Sequence, residues 1–401
     1  MAMAADLMNY QTDFLFLLVG SNPLPNFVSA MLLAKKGGKV ILLHTAKTGQ
    51  VAANLKDAID HRKMGITVEP REIDTKCSDR ILREMESILE EMGRESSVGL
   101  NYTGGTKAMS VHTFRAVGNA FDEAVFSYLD ARALSLVIDT KGELTKEIGV
   151  GQACPVELEE MLALHGFRRY SSKQELTQPD FCKVLAEEVS SNIEAYKDWK
   201  KWLEGSEGEA NRGWLETLPT KEEYPELAKV IDAISKICGG KPSPELFAKG
   251  LGKDKLNSCK EFLGGTWLEE YTYCSVRQLA EDLNLKDLTF GIKPTPNSKK
   301  PQKFESDVVF IRGYQLYVVS CKASTKKSYS KLGLFEAFTR ARQLGGDEAR
   351  TGLVCCYEDP KSLQQEVEES WFAKDEVRVF GRKDLRKLED NLRRWIMNED
   401  N

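Results

Sequence analysis

The chain has 401 residues, long enough for two or three domains and a sizeable core. Its 41% apolar and 29% charged residues are ordinary for a globular protein, and a net charge of −5 gives no overall basic signal for nucleic acid. Nine cysteines without a C-x-x-C pair argue against a disulfide framework and a zinc site. No apolar run approaches the roughly 18 to 20 residues of a membrane span, and no basic segment precedes an apolar one at the start. The expectation is a soluble, cytoplasmic protein with no membrane partner.

Residues 13–20 form a continuous apolar run ending in glycine. A polar loop follows, Ser21-Asn22-Pro23-Leu24-Pro25-Asn26, and then a helical stretch over 27–36. A buried strand over 39–43 ends at His44-Thr45. Helices over 49–63 and 78–92 flank a short strand at Thr67-Val68. The strand over 97–100 leads into Asn101-Tyr102-Thr103-Gly104-Gly105-Thr106-Lys107 and a helix over 108–121. A hairpin follows, 124–129 and 133–139 around Asp130-Ala131-Arg132.

Strands alternating with helices predict a parallel sheet covered on both faces. Binding loops in such sheets lie at the carboxyl ends of the strands, where the loop after the first strand and the 101–107 loop both fall. In the latter, two glycines allow close approach to the backbone. Free N–H groups at a helix start attract phosphate, and Thr103, Thr106 and Lys107 add donors. The spacing is not that of a P-loop. A glycine turn without a ligand is the alternative. Asp130 and Arg132 either meet a nucleotide or pair with each other.

Residues 151–255 carry less chemistry. Val156, Leu158, Met161, Leu162 and Leu164 predict an amphipathic helix over 155–165. A helical region over 174–203 carries Trp199 and Trp202, residues 205–212 form a polar linker, and another helix spans 221–238. Gly239-Gly240-Lys241-Pro242 is a break. This stretch is expected to be a helical connector. It shows no basic recognition helix for reading DNA.

Residues 308–311 and 315–319 are two apolar runs around Arg312-Gly313, which predicts a hairpin. If Ile311 pairs with Tyr314, Asp307 lies near Val318 and Glu305 lies opposite Ser320. Asp307, Ser320 and Lys322 then share one face of the hairpin. Burying such charges is expensive unless they pair or hold a metal. A helix precedes the hairpin, with Glu269 and Glu270 in its first turns. Mg²⁺ or Mn²⁺ needs oxygen ligands, and Glu269 or Glu270 together with Asp307 can supply them. Lys322 would stabilise developing negative charge. An Asp–Lys salt bridge at a sheet end is the structural alternative.

Two lysine-bearing stretches without acidic residues bracket these positions. One holds Lys293, Lys299, Lys300 and Lys303; the other holds Arg312, Lys322, Lys326, Lys327 and Lys331. They suit phosphate neutralisation, or are simply solvated loops. A helix over 331–344 brings Glu336, Arg340 and Gln343 near one face.

Three sequence features carry a resemblance. The Ser21-Asn22-Pro23 loop and N-x-T-G-G-T-K before a helix resemble a CARF domain, a Rossmann-like sensor of cyclic oligoadenylates. A helix glutamate, D-V-V on one strand and C-K on the next resemble the PD-(D/E)xK nuclease fold. Together they resemble the cyclic tetra-adenylate-activated nucleases of type III CRISPR defence.

The resemblance implies an α/β chain with a CARF sensor over 1–150, a helical connector over 151–255 and a nuclease domain over 256–401. It implies a homodimer whose ligand pocket is lined by Ser21, Asn22, Thr45, Asn101, Thr103, Gly104, Gly105, Thr106 and Lys107, with Asp130 and Arg132 beside it. It implies a nuclease centre of Glu269, Asp307 and Lys322, with Glu269 and Asp307 on Mg²⁺ or Mn²⁺, acting on DNA or RNA. Ser320 stands where that family has a carboxylate, and Glu305 is expected to fill the gap. Two other functions follow from the same residues: a ligand-sensing regulator that binds nucleic acid without cutting it, and a sensor that degrades its ligand with help from Thr106 and Lys107.

Overall fold

Each strand expected in the first half falls in one sheet. The computed structural model describes residues 7–93, 95–173, 175–204, 215–297 and 304–399. In chain order the elements are β1 (Thr12–Leu18), α1 (Leu24–Leu33), β2 (Ala34–His44), α2 (Gly49–His61), β3 (Thr67–Glu72), α3 (Ser78–Glu90), β4 (Val98–Asn101), α4 (Lys107–Ala120), β5 (Val125–Asp130), β6 (Ser135–Asp139) and β7 (Lys146–Gly149). The sheet runs β3-β2-β1-β4-β5-β6-β7. Strands β1 to β5 are parallel and β6 and β7 antiparallel. Alternating side chains separate its two faces: Phe16 and Leu18 pack with Ile81 and Met85 of α3, while Leu15 and Leu17 pack with Phe27 and Leu55.

The second half continues with α5 (Leu158–Leu164), β8 (Phe167–Lys173), α6 (Pro179–Ser191), α7 (Ile193–Glu204), α8 (Ala228–Ile237), α9 (Pro244–Gly250), α10 (Trp267–Leu279), β9 (Leu285–Pro296), β10 (Ser306–Arg312), β11 (Gln315–Lys322), α11 (Lys327–Gly345), β12 (Arg350–Cys355), α12 (Pro360–Trp371), β13 (Val377–Phe380) and α13 (Leu388–Met397). Its sheet has six strands in the order β13-β12-β11-β10-β9-β8. Strands β8 to β11 are antiparallel and β11 to β13 parallel.

Residues 151–255 are not a separate helical connector. Strand β8 is an edge of the second sheet, and Phe181, Trp199 and Phe247 share one apolar core with Phe310, Tyr317 and Trp395. The region over 174–203 splits into α6 and α7, and the helix expected from 221 begins at Ala228. The predicted linker over 205–212 lies outside the described residues, as do Lys299, Lys300 and Lys303. The stretch after Gly291, expected as loop, begins as the end of β9, which carries Pro294 and Pro296. Prolines fit there because β9 beyond Ile292 pairs with β8 alone.

The two sheets share one apolar cluster, running from Leu15 and Phe27 through Leu162 to Ile311 and Val318. No helix among the described residues is long and apolar enough to cross a membrane.

Candidate functional site

The hairpin of β10 and β11 sets the centre. Arg312 pairs with Gln315 and Ile311 with Leu316, so the turn is Gly313-Tyr314 and not Arg312-Gly313. Gly313 has φ +64, and a Cβ there would lie 1.8 Å from the Gly151 carbonyl, so only glycine fits. This register brings Asp307 to Ser320. The Ser320 hydroxyl donates to Asp307 Oδ2 at 3.1 Å, and the Cys321 N–H donates to the same oxygen at 2.7 Å. Lys322 Nζ stands 3.7 Å from it. All three contacts fall on Oδ2, which leaves Oδ1 for a ligand.

Lys322 reaches this place along α11. A Cβ on Gly333 would lie 2.6 Å from Lys322 Cε and 2.9 Å from its Cγ. A glycine inside a helix costs about 1 kcal/mol against alanine. Here it opens the slot in which the lysine stem lies. On the other side of β11, Cys321 is buried against Thr272 of α10. Burial first, then the Asp307 and Glu269 carboxylates, push its thiol well above the ordinary value, while Thr272 and Lys322 act the other way. Asp307 and Lys322 thus stand together beside the buried Cys321.

Glu270 is elsewhere. It is 1% exposed and accepts from the Thr177 N–H at 2.9 and 3.0 Å and the Gln178 N–H at 3.2 Å, just ahead of α6. It closes the start of that helix and is no metal ligand. Replacing it with alanine strands these buried donors, with an expected loss of roughly 3 kcal/mol in urea unfolding. Glu305 does not lie opposite Ser320; it is exposed and pairs with Lys293 at 3.2 Å. Serine at position 320 is not substituted by a distant carboxylate but hydrogen-bonds Asp307 itself.

No group of three or more His, Cys, Asp or Glu among the described residues is arranged to hold a metal ion. Mg²⁺ needs less than that, one or two carboxylates plus water and substrate phosphate. Asp307 Oδ1 can supply one such oxygen, since the contacts to Asp307 fall on Oδ2. The surrounding lysines are partly committed: Lys327 and Lys331 both pair with Glu366. Arg340 lies over the Phe304 ring at 4.2 Å and donates to Gln343.

The second candidate site is at the carboxyl ends of β1 and β4, which are neighbours. Glycines press their loops together. A Cβ on Gly104 would stand 2.3 Å from the Leu18 carbonyl oxygen, and one on Gly20 would stand 3.1 Å from the Gly105 N. Gly105 adds φ +76. Asn101 is fully buried; its carboxamide donates to Ser127 Oγ and accepts from the Thr103 N–H and hydroxyl at 3.2 and 2.8 Å. Thr103 Oγ1 in turn accepts from the Leu129 N–H at 2.7 Å. Asn101 and Thr103 therefore build the loop from inside. Thr106 caps α4 by accepting from the Met109 N–H at 3.2 Å. Ser21, Thr106 and Lys107 are exposed around it.

Four expected pocket residues are engaged elsewhere. Thr45 forms the turn into α2 with Thr48. Asp130 Oδ1 accepts from the Arg132 and Ala133 N–H groups and shapes the β5–β6 turn. Arg132 faces Glu376 of the second half at 3.8 Å. Asn22 Nδ2 donates to Glu348 Oε2 at 2.8 Å, also across to the second half.

Residues 15–148 match the family model for the Card1 CARF domain, and residues 257–399 match that for the Card1-like endonuclease domain. The chain carries a Card1-type CARF domain followed by a Card1-like endonuclease domain. In overall fold this Card1-like chain is similar to Can2 from Sulfobacillus thermosulfidooxidans, solved with cyclic tetra-adenylate: TM-score 0.70, 19% identity, 98% of this chain and 99% of that one. It is also similar to protein VC1899 from Vibrio cholerae: TM-score 0.64, 14% identity, 96% and 98% covered. No curated protein matches. The endonuclease domain disfavours a regulator that binds without cutting. Among the described residues, four buried charges were missed by sequence reasoning: Glu348 at 0%, Glu376 and Arg382 at 4% and Arg350 at 5% exposure. Charged residues read as solvated, so no sequence signal marked them.

Proposed function

We propose that this Card1-like chain is a metal-dependent endonuclease of type III CRISPR defence, switched on by cyclic tetra-adenylate. The observation that carries the nuclease half is Asp307 held by Ser320 and the Cys321 N–H, with Lys322 3.7 Å away, in an endonuclease-family domain. This supports a PD-(D/E)xK-like reading, with serine in place of the second carboxylate. A divalent cation at Asp307 Oδ1 and Glu269 would supply Lewis-acid polarisation of the scissile phosphate. Ser320 and the Cys321 N–H fix the rotamer of Asp307. Lys322 holds a positive charge beside it and offsets charge that builds on the phosphate.

The sensor half rests on the CARF match and on the exposed Ser21, Thr106 and Lys107 beside the half-buried Gly104 and Gly105. Can2, the structural relative, is bound to cyclic tetra-adenylate. A cyclic ligand is larger than one such loop, and a second copy of this chain would complete the site. On α4, Val111 is 62% and Phe114 42% exposed, beside the loop; a second copy would cover them.

The test is cleavage of a single-stranded oligonucleotide and of supercoiled plasmid with Mn²⁺, with and without cyclic tetra-adenylate, and with EDTA as control. Cutting that needs both additions is expected. Cutting that persists in EDTA, or ignores the ligand, overturns the corresponding half of the reading.

A further inference from the structure

The loop after β1 is tied to the endonuclease domain by a buried carboxylate. Glu348 lies in the short turn Gly346–Glu348 that follows α11. It is fully buried, and its only side-chain partner among the described residues is Asn22 Nδ2, at 2.8 Å on Oε2. Oε1 is buried without a hydrogen-bond partner, as is the hydroxyl of Tyr314. Burial raises the Glu348 carboxyl to about 7, and the Asn22 hydrogen bond works against that shift. The main chain here is held firmly: Gln315 Nε2 donates to the Glu348 carbonyl at 2.9 Å and Arg350 Nη1 at 3.2 Å. Asn22 lies flat on this turn. A Cβ on Gly346, whose φ is +72, would stand 2.3 Å from Asn22 Oδ1.

Helix α11 connects this turn to the nuclease centre. Twelve residues separate Gly333, which seats Lys322, from Gly345, roughly 18 Å along the helix at 1.5 Å per residue. Gly345 also packs directly on β11: a Cβ there would meet Leu316 Cβ at 2.6 Å. A shift of the turn therefore moves the far end of the element that positions Lys322. Packed helices move as units.

We propose that the Asn22–Glu348 contact is a latch by which the sensor loop holds the endonuclease domain in its ligand-free arrangement. It rests on the reading of the chain as a ligand-switched nuclease and adds the residue pair that does the switching. A phosphodiester ligand beside Ser21 attracts the Asn22 amide donor and repels the Glu348 carboxylate, so it favours the released state over the latched one. Once Asn22 leaves, Glu348 loses its side-chain donor while its Oε1 stays buried without a hydrogen-bond partner, which loosens the turn.

The experiment measures ligand-free cleavage of a labelled single strand with Mn²⁺ by full-length Asn22→Ala, Asn22→Asp and Glu348→Ala proteins. Asn22 is partly exposed, so its variants fold even if Glu348→Ala does not. Each Asn22 variant is expected to raise the ligand-free rate at least tenfold. The double variant Asn22→Ala, Glu348→Ala is expected to go no further than either single change. Hydrogen exchange over residues 344–350 gives a readout that needs no cleavage. It should quicken in the variants, and in the unaltered protein on adding cyclic tetra-adenylate. A ligand-free rate and an exchange pattern unchanged in both Asn22 variants overturn the latch. If the unaltered protein never cuts, the nuclease reading fails, and exchange alone decides the latch.

Discussion

Lys322→Ala is expected to lower cleavage at least a hundredfold while cyclic tetra-adenylate binding stays unchanged. Removing one fixed donor of charge stabilisation in a catalytic site costs about 10² to 10³ in rate. Lys322 stands 3.7 Å from Asp307 and lies in a slot cut into α11 by Gly333. That slot fits a slender alkyl stem, so Lys322→Arg should restore little: the planar guanidinium is wider and would meet the helix backbone. Asp307→Asn separates charge from shape. Asparagine can still accept from Ser320 and the Cys321 N–H, yet its amide is a poor cation ligand. Single-turnover cleavage should fall as far as in Lys322→Ala, while the melting temperature stays within a few degrees of the parent. Full cleavage by Asp307→Asn would remove this centre from the mechanism.

Gly104→Ala is expected to weaken cyclic tetra-adenylate binding at least tenfold and to abolish activation. The new Cβ would stand 2.3 Å from the Leu18 carbonyl oxygen, inside any real contact distance. Both groups are main chain, so no side chain can turn away. The 101–107 loop must lift off β1, and Thr106 and Lys107 move with it. Isothermal calorimetry checks the affinity. Hydrogen exchange over β10 and β11 should stay protected, because they lie in the other sheet. Unchanged affinity would show that the ligand does not use this loop.

Much of the candidate centre's geometry was legible because side chains on a strand alternate. The expected pairing of Ile311 with Tyr314 was two residues off, yet a shift of two returns every side chain to the same face. Asp307, Ser320 and Lys322 therefore stayed together. The same error misplaced Glu305, since an opposite neighbour depends on exact register. Strand β8 went unseen because Phe167–Lys173 reads FRRYSSK, too polar to announce a strand. It exists because it pairs with β9, a contact more than a hundred residues away in sequence.

The sequence by itself determined the alternating α/β order of the sensor, the glycine loop before α4 and the shared face of Asp307, Ser320 and Lys322. These follow from local periodicity and from glycine's backbone freedom. Tertiary structure alone took Glu270 away from the candidate centre. Adjacent helix residues point about 100° apart, and the start of α6 took Glu270 for its N–H groups. It alone set Asn22 against the buried Glu348 and Arg132 against Glu376. These are contacts between residues over three hundred positions apart, or between the two sheets, and no local pattern encodes them.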